Sequence, residues 1–309
     1  MTALSQTADD YLRLRRALGH KLADAGRLLP RLVAYLESIG LETITIEAAM
    51  AWAQQPDADP TSTVWVSRMA VARGFARHLA GRDPRTEVPP VGMLASRRHR
   101  RVPYIYASAE IVSLMAQAHL TIRSPLRAST IGTLFGLLAA TGMRVGEAIR
   151  LDNADLDWEE GLAIVRSSKF GKSREVPLQP STVGALTTYA RQRDQLQPSR
   201  KATSFFVSLV GTRLLYADIL ITFRQLVDAA GIGAQSSVCP HIHDLRHSFA
   251  VHTLVDWYRN GEDVQARLPS LATYLGHVEP RSTYWYLSAA PELLGLAAGR
   301  LEAFEEVRP

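Results

Sequence analysis

Two histidines, an arginine and a tyrosine within residues 243–286 constrain the fold of this chain more than any other feature of its sequence. His243 and Arg246 stand three residues apart, so on a helix they would share one face. His277 ends a Leu-Gly-His run, and Tyr286 follows it nine residues later. A guanidinium binds phosphate with paired donors, an imidazole can move a proton, and a phenol can attack phosphorus. The stretch therefore predicts a fold that gathers these side chains around one phosphate.

The chain before His243 offers a second arginine. Arg144 comes just after a glycine break that ends an apolar helix predicted at residues 129–141, and Glu147 stands three residues further on. One interpretation is a surface Arg–Glu pair, which is a common and weak interaction. The apolar neighbours favour a partly buried arginine instead, and a buried arginine needs an anionic partner. We expect Glu147 to pair with Arg144 or to hold it in place.

A predicted β-hairpin offers a proton donor. Residues 162–166 alternate as in a strand, SKFGKSR forms a turn, and residues 175–178 return. Lys169 lies in that turn, where a lysine is usually only solvated. Its mobility also suits it to reach into a groove and protonate a leaving oxygen. Both interpretations remain open from the hairpin alone.

The remaining chain predicts a mainly α-helical protein with a small β-sheet, divided into two domains. Residues 1–95 carry four helical stripes, and a Pro-rich, basic segment follows. We predict a helical domain at residues 1–95, a linker at 96–105 and an α+β domain at 106–309. A short apolar strand is expected at residues 205–208 and a final helix at 291–306.

Several basic residues could meet a polyanion. The linker is interpreted either as an ordered tether along phosphates or as a disordered basic connector. The fourth predicted helix has a basic face, which is either solvated or placed to clamp a DNA backbone. The predicted DNA contacts are Arg97, Arg98, Arg100 and Arg101 in the linker and Lys172 and Arg174 in the hairpin, and the basic face of the helix comprises Arg68, Arg73, Arg77 and His78.

Composition narrows the class of protein. The net charge of +5 over 309 residues leans toward a polyanionic partner without proving one. The single cysteine, Cys239, excludes an intrachain disulfide and a cysteine-rich zinc site, and it favours the cytoplasm. His241, His243 and His247 are spaced as a zinc pair could be, but no third ligand accompanies them, so no metal site is predicted.

Other sequence signals are missing. The chain has no GxxxxGK[ST] loop, and we predict no cofactor. No apolar run approaches the about 20 residues that a membrane span needs, so no membrane association is expected. The opening residues, acidic and polar, do not resemble a signal peptide.

The order of these motifs resembles the tyrosine recombinase (phage integrase) family. The motifs are TGMRVGE around Arg144, SKFGKSREVPL around Lys169, HDLRHSFAVH, LGH, and a tyrosine nine residues further on. The resemblance covers roughly residues 106–290, and the flanks look closest to integrases of bacterial mobile elements. The sequence leaves open whether the outcome is integration, excision, resolution or transposition. It implies a catalytic domain and an N-terminal core-binding domain that close as a C-shaped clamp around duplex DNA.

The resemblance also implies a role for each motif residue. Tyr286 would attack the scissile phosphate and form a 3′-phosphotyrosyl link that needs neither ATP nor a metal. The other implied roles are phosphate binding by Arg144 and Arg246, general acid catalysis by Lys169, proton movement by His243, phosphate donation by His277 and orientation of Arg144 by Glu147. Tyr284 and Trp285 crowd the nucleophile, and the spacing from His277 favours Tyr286 over Tyr284.

The implied assembly is a homotetramer on paired double-stranded DNA sites, with accessory recombinases or directionality factors as further partners, in the nucleoid of the cytoplasm. Two alternatives are a relaxing enzyme similar to type IB topoisomerases and a non-catalytic DNA-binding regulator on the same scaffold. The C-terminal helix could pack on its own domain or dock on a neighbouring subunit, and the sequence leaves that choice open.

Overall fold

The computed structural model describes residues 2–57, 63–94, 101–166, 173–199, 201–277, 281–289, 293 and 295. The chain divides into two compact units, Met1–Arg100 and Arg101–Pro309. Within the described residues no helix is both long and apolar enough to cross a membrane. The predicted fold class, mainly helical with one small sheet, is confirmed.

The first unit is built from four helices. They are α1 (Ala3–Ala17), α2 (Ala23–Ser38), α3 (Ile46–Ala53) and α4 (Val64–Leu79). The apolar stripes predicted from the sequence meet in one core, where Leu29, Leu36 and Phe75 are completely buried. Thr45 begins α3 as expected, since its side-chain oxygen accepts a hydrogen bond from the backbone N–H of Ala48 at 3.1 Å.

The basic face predicted on α4 is only partly solvated. Arg68 is buried and its Nη2 donates to Asp57 at 2.7 Å. Arg73 donates from Nε to the carbonyl oxygen of Pro89 at 2.7 Å and from Nη2 to that of Pro90 at 2.9 Å. These two guanidiniums therefore hold the first unit together, which sequence periodicity could not distinguish from a solvated face.

The second unit surrounds one long helix. Its helices are α5 (Ser108–Thr121), α6 (Pro125–Thr141), α7 (Val145–Arg150), α8 (Pro180–Leu196), α9 (Tyr216–Ala229), α10 (Asp244–Arg259), α11 (Val264–Leu275) and α12 (Arg281–Ala289). Helix α6 is apolar on nearly every side and is buried against its neighbours, as a central helix must be. It ends at Gly142, which takes a left-handed conformation with φ of 60° and turns the chain toward α7.

A three-stranded antiparallel sheet lies beside these helices. Its strands are β1 (Leu156–Asp157), β2 (Leu162–Val165) and β3 (Arg174–Pro177), paired in that order. The register places Ala163 opposite Val176 and Val165 opposite Arg174. The predicted hairpin arms are thus confirmed, and its turn lies outside the described residues.

Two sequence predictions about this unit were wrong. Residues 205–208 do not form a strand of the sheet, although Phe205 and Phe206 are fully buried; only isolated bridges occur around them. Their apolar run reflects burial, which periodicity alone does not separate from a strand. The sequence predicts a helix only at residues 271–276, whereas α11 begins at Val264. Pro269 lies inside α11, and a proline usually indicates a helix boundary, so the first part of the helix was not predicted.

Candidate active site

Arg246 lies in the first turn of α10 and is almost completely buried. Its Nη1 donates to the carbonyl oxygen of Gly142 at 2.8 Å, and its Nη2 donates to that of Leu275 at 2.7 Å. Burial and the nearby charge of Arg144 lower the pKa of Arg246 to about 10, so the guanidinium remains charged at neutral pH. Its two hydrogen-bond acceptors are neutral carbonyls, and no carboxylate among the described residues pairs with it directly, so the guanidinium can still attract an anion.

Arg144 stands immediately before α7, with its side chain partly exposed. Its Nη1 donates to Oε1 of Glu147 at 2.6 Å, and its backbone N–H donates to Oε2 at 3.1 Å. Its Nη2 donates to the carbonyl oxygen of Gly276 at 3.2 Å. The pair of Arg144 and Glu147 expected from the sequence is therefore present, and Glu147 is 3% exposed, so it is not a surface pair.

Glu147 is shared by two arginines. Its Oε2 also accepts a hydrogen bond from Nη2 of Arg174 at 2.8 Å. Burial raises the pKa of Glu147, but the hydrogen bond and charge of Arg174, together with the hydrogen bonds of Arg144, outweigh burial and bring the pKa down to about 2. Glu147 is therefore an anion throughout the physiological range.

The C-terminal end of α11 gathers all three guanidiniums. Three consecutive carbonyl oxygens there accept hydrogen bonds from arginines. The Tyr274 carbonyl accepts from Nε of Arg174 at 2.8 Å. The Leu275 carbonyl accepts from Arg246, and the Gly276 carbonyl accepts from Arg144. The last carbonyls of a helix have no partner within it and carry partial negative charge, so they suit cations. One helix end thus brings together side chains from α7, β3 and α10.

Tyr286 lies in the same region, on α12. Its side chain is buried, and the ring is stacked on His277 with centroids 6.0 Å apart. The charge of an ionised Tyr286 raises the pKa of Arg246, so the two groups are electrostatic neighbours. Nδ1 of His277 shares a hydrogen bond with the Thr283 hydroxyl at 2.7 Å, which fixes the imidazole at the start of α12. Tyr284, by contrast, is half exposed.

His243 completes the set at the start of α10. Desolvation and the charges of Arg246 and Arg144 lower the pKa of its imidazole to about 4, although the residue as a whole is exposed. Its ring contacts that of His247 edge-on, with centroids 4.9 Å apart. At neutral pH His243 is thus uncharged and has a lone pair that can accept a proton.

Sequence reasoning missed the place of His247. Its ring lies 5.4 Å from the ring of Tyr286 and 5.4 Å from that of Trp285. His247 was considered only as a metal ligand, yet it is four residues after His243, and that spacing already places both on one helical face. The structure therefore adds His247 to the residues that pack around the tyrosine.

Of the predicted DNA contacts, two are described by the structure, and both bind groups of the protein. Arg101 donates from Nη1 to the carbonyl oxygen of Cys239 at 2.7 Å and forms an ion pair with the buried Asp244, directly after His243. Arg174 is held by Glu147 and α11, as described above. The other predicted contacts, Arg97, Arg98, Arg100 and Lys172, lie outside the described residues, as does the predicted acid Lys169.

The site as a whole is suited to a phosphodiester. Two guanidiniums, those of Arg144 and Arg174, pair with the single carboxylate of Glu147, and the third, that of Arg246, donates to backbone carbonyls, so positive charge is in excess among these four groups. A phenol beside them could act as a nucleophile, because nearby cations favour its ionised form. The neutral His243 could accept the proton that the phenol releases.

Sequence comparisons find relatives over most of the chain. The profile described as the phage integrase family matches residues 106–292. A Sinorhizobium fredii protein described as an integrase/recombinase (y4rB) is 42% identical over 309 residues, covering 98% of both chains. The tyrosine recombinase XerD of Caulobacter vibrioides is 29% identical over 297 residues, covering 95% of this chain and 87% of its own.

Solved structures share the fold at low sequence identity. A Tn1549 transposon integrase, solved with transposon right end DNA, has a TM-score of 0.67 at 16% identity and covers 96% of this chain and 98% of its own. A lambda integrase, solved as a tetramer bound to a Holliday junction, has a TM-score of 0.63 at 16% identity and covers 92% of this chain and 76% of its own.

Proposed function

The chain belongs to the phage integrase family and is a tyrosine-type site-specific DNA recombinase, and on that basis we propose that Tyr286 is its nucleophile. The observation that carries this proposal is the burial of Tyr286 beside Arg246, at the helix end where three guanidiniums meet. The relatives named above are recombinases and integrases, which favours neither a relaxing enzyme nor a non-catalytic regulator.

The proposed step exchanges one phosphate ester for another. The Tyr286 oxygen forms a bond to phosphorus, the bond to the 5′ oxygen breaks, and the product is a 3′-phosphotyrosyl link with a free 5′-hydroxyl. His243 takes the phenolic proton, and its pKa of about 4 keeps it available as a base. Lys169 gives a proton to the departing 5′ oxygen. Reversal by another 5′-hydroxyl rejoins the strand, and no ATP is needed because the bond energy is retained.

Arg144 and Arg246 are proposed to bind the non-bridging oxygens of that phosphate. Negative charge grows on these oxygens as phosphorus becomes pentacoordinate, and positive groups already held in place stabilise it without reorganising. Glu147 orients Arg144, and His277 donates to a phosphate oxygen. Because two guanidiniums supply the positive charge that a divalent ion supplies elsewhere, the proposed chemistry requires no metal.

Covalent trapping tests the nucleophile. On a nicked DNA site the freed strand end diffuses away, so cleavage leaves protein attached to DNA and visible by denaturing electrophoresis. We expect Tyr286→Phe to abolish the attached species, because the attacking oxygen is removed.

Tyr284→Phe is the matched control for this experiment. Tyr284 is two residues away on the same helix and half exposed, so its loss should leave trapping intact. Trapping by Tyr286→Phe together with failure by Tyr284→Phe would reassign the nucleophile to Tyr284.

The proposed assembly follows the same family relationship. Residues 1–95 and 106–309 would close around duplex DNA, with the basic linker at 96–105 following the phosphates. Four copies would act on two paired sites within the nucleoid, aided by accessory recombinases or directionality factors. The lambda integrase structure, a tetramer on a Holliday junction, supports the tetramer.

A further inference from the structure

We propose that Arg174 is a positioning residue that aligns Arg144 and Arg246 by binding Glu147 and the end of α11 together. The inference rests on the function proposed above. It assigns to Arg174 a role other than the DNA contact that its place after the hairpin turn predicted.

The contacts of Arg174 all lie within the protein. Its Nε donates to the carbonyl oxygen of Tyr274 at 2.8 Å, and its Nη2 donates to Oε2 of Glu147 at 2.8 Å. The side chain is 11% exposed. Its Nη1 is buried against Gly276, where an added Cβ would lie 3.0 Å from it. Nη1 has no hydrogen-bond partner among the described residues, whereas Nε and Nη2 are both engaged within the protein.

These contacts connect the two groups that hold the phosphate-binding arginines. Glu147 is the partner of Arg144, and α11 supplies carbonyl oxygens to both Arg144 and Arg246. Arg174 is bound to Glu147 and α11 at once. If it is removed, the carboxylate of Glu147 can shift relative to the helix end, and both arginines shift with their partners.

The geometry requires an arginine in particular. Nε and Nη2 lie on one edge of a planar guanidinium and reach two acceptors in a fixed direction. A lysine carries a single ammonium at the end of a flexible chain and cannot reproduce that fork. We therefore expect Arg174→Lys to fail in the same way as Arg174→Gln.

Single-turnover trapping on nicked DNA tests the proposal. At saturating DNA, Arg174→Lys and Arg174→Gln should cleave about 100-fold more slowly than the native chain, the cost of displacing catalytic groups by about 1 Å. Arg191→Ala, which removes an exposed arginine from α8, is the charge-matched control and should cleave at the native rate. A native rate in both Arg174 variants would overturn the proposal.

Salt dependence separates positioning from DNA contact. A residue that binds a phosphate lowers the slope of log affinity against log salt by about one when it is lost. We expect the slope and the affinity of the Arg174 variants to equal those of Arg191→Ala within error. A slope lowered by about one in the Arg174 variants alone would show that Arg174 binds DNA.

A DNA substrate with sulfur in place of the bridging 5′ oxygen separates positioning from help to the proton donor. The sulfur leaves without protonation, so a defect that acts through Lys169 disappears with it. Arg174 variants should instead be slowed by the same factor on both substrates. Rescue by sulfur would overturn the proposal in favour of a role at the leaving group.

The pH profile provides a readout that a purely structural role would not change. Glu147 faces Arg144 and Arg174, with Arg246 and His243 nearby on α10. Without Arg174 the largest contribution holding down the pKa of Glu147 is lost, so its pKa rises. The variants should lose additional activity as the pH falls from 7 to about 5, and Glu147→Gln should remove that extra loss. A profile parallel to the native one contradicts the proposal.

Folding and function can be told apart within the same series. Circular dichroism and thermal unfolding establish whether each variant is folded, and a double variant, Glu147→Gln with Arg174→Gln, leaves no buried carboxylate unpaired. Its rate should equal that of Glu147→Gln alone, since both act through one group; a further loss would contradict the proposal. If neither the native chain nor Arg191→Ala traps DNA, that result contradicts the proposed function. Slow trapping confined to the Arg174 variants concerns Arg174 alone.

Discussion

At the scale of single residues, the low pKa of His243 determines how this site responds to acid. An ordinary histidine becomes protonated near pH 6.5, whereas desolvation and the charges of Arg246 and Arg144 lower the pKa of His243 to about 4. Its basic form is therefore present above about pH 4. His243 is then in its uncharged form at the pH of a cell.

This predicts the acid side of the rate profile. The second-order rate constant for covalent trapping reports the free protein, and its decline on acidification should lie nearer pH 4 than pH 6.5. The measurement is the rate of trapping over pH 4 to about 8, with protein below the concentration that saturates the DNA.

His252, which also lies on α10, provides the control for this profile. His252→Gln should leave the profile unchanged, while His243→Gln should remove the acid step and slow cleavage overall. A midpoint close to 6.5 in the native chain would rule out a neutral, charge-depressed His243.

The residues found from sequence are those whose spacing is fixed by one helix or one motif. The pairs Arg246 and His243, and Arg144 and Glu147, lie three residues apart, so local geometry places them. The contact of Arg174 with Glu147 joins residues 27 positions apart. No local pattern encodes such a contact, and a hairpin arginine was therefore assigned to DNA.

At the scale of elements, the end of α11 is the critical feature, and Gly276 forms it. Gly276 has a φ of 68°, and a Cβ there would lie 3.0 Å from Nη1 and 3.2 Å from Cζ of Arg174. A left-handed residue other than glycine costs about 1–2 kcal/mol by itself. Gly276→Ala should lower the free energy of unfolding by more than that and should also slow cleavage, because Arg174 must move.

Gly261 offers a matched comparison for this substitution. It has a φ of 74°, and a Cβ there would meet nothing within 4 Å. Gly261→Ala therefore carries the backbone cost without the collision, and the difference between the two variants in chemical denaturation measures the crowding at Arg174. Equal losses of stability and equal cleavage rates would show that Arg174 tolerates the added methyl group.

Elements were predicted well where periodicity was continuous and poorly where it was interrupted. The sequence predicts helices at residues 180–195 and 216–230 and a helix start at Ser108; α8 and α9 match those bounds within one residue, and α5 begins at Ser108. Helix α11 was shortened because Pro269 interrupts the pattern, yet a helix can hold a proline when its neighbours support it. The run at residues 205–208 looked like a strand because buried loops and buried strands share apolar composition.

At the scale of the whole molecule, the beginning of the C-terminal segment belongs to its own catalytic unit. Leu293 is 1% exposed and packs in the same apolar cluster as Tyr286 and Leu275. Truncation after Ala290 would therefore remove core packing next to the proposed nucleophile. Such a protein cannot report on assembly alone, because Leu→Ala changes in a core already cost about 2–5 kcal/mol.

Truncation after Gly295 separates packing from assembly. It retains Leu293 and removes residues 296–309, whose leucine and alanine spacing predicts an amphipathic helix. If the segment docks on a neighbour, which the family resemblance favours, this protein should trap DNA normally on a single nicked site but give no recombinant product from two sites. Mass photometry of the DNA complex measures the loss of the tetramer.

The contrary result is equally clear. If the protein ending at Gly295 still forms tetramers and recombinants, the segment serves its own subunit. The sequence could not predict whether this segment packs on its own subunit or on a neighbour. An amphipathic pattern predicts that one face of a helix is covered, but it does not identify the surface that covers it.

Main-chain oxygen atoms accept hydrogen bonds from the arginines proposed to bind the phosphate, and this has a consequence for which side chains can change. A carbonyl is present whatever side chain the residue bears, so replacements at Tyr274 or Leu275 that preserve the helix also preserve the acceptors. Gly276 is the exception, because its φ of 68° disfavours a residue with a side chain. Elsewhere along this helix end, side chains can change while the acceptors of the guanidiniums stay in place.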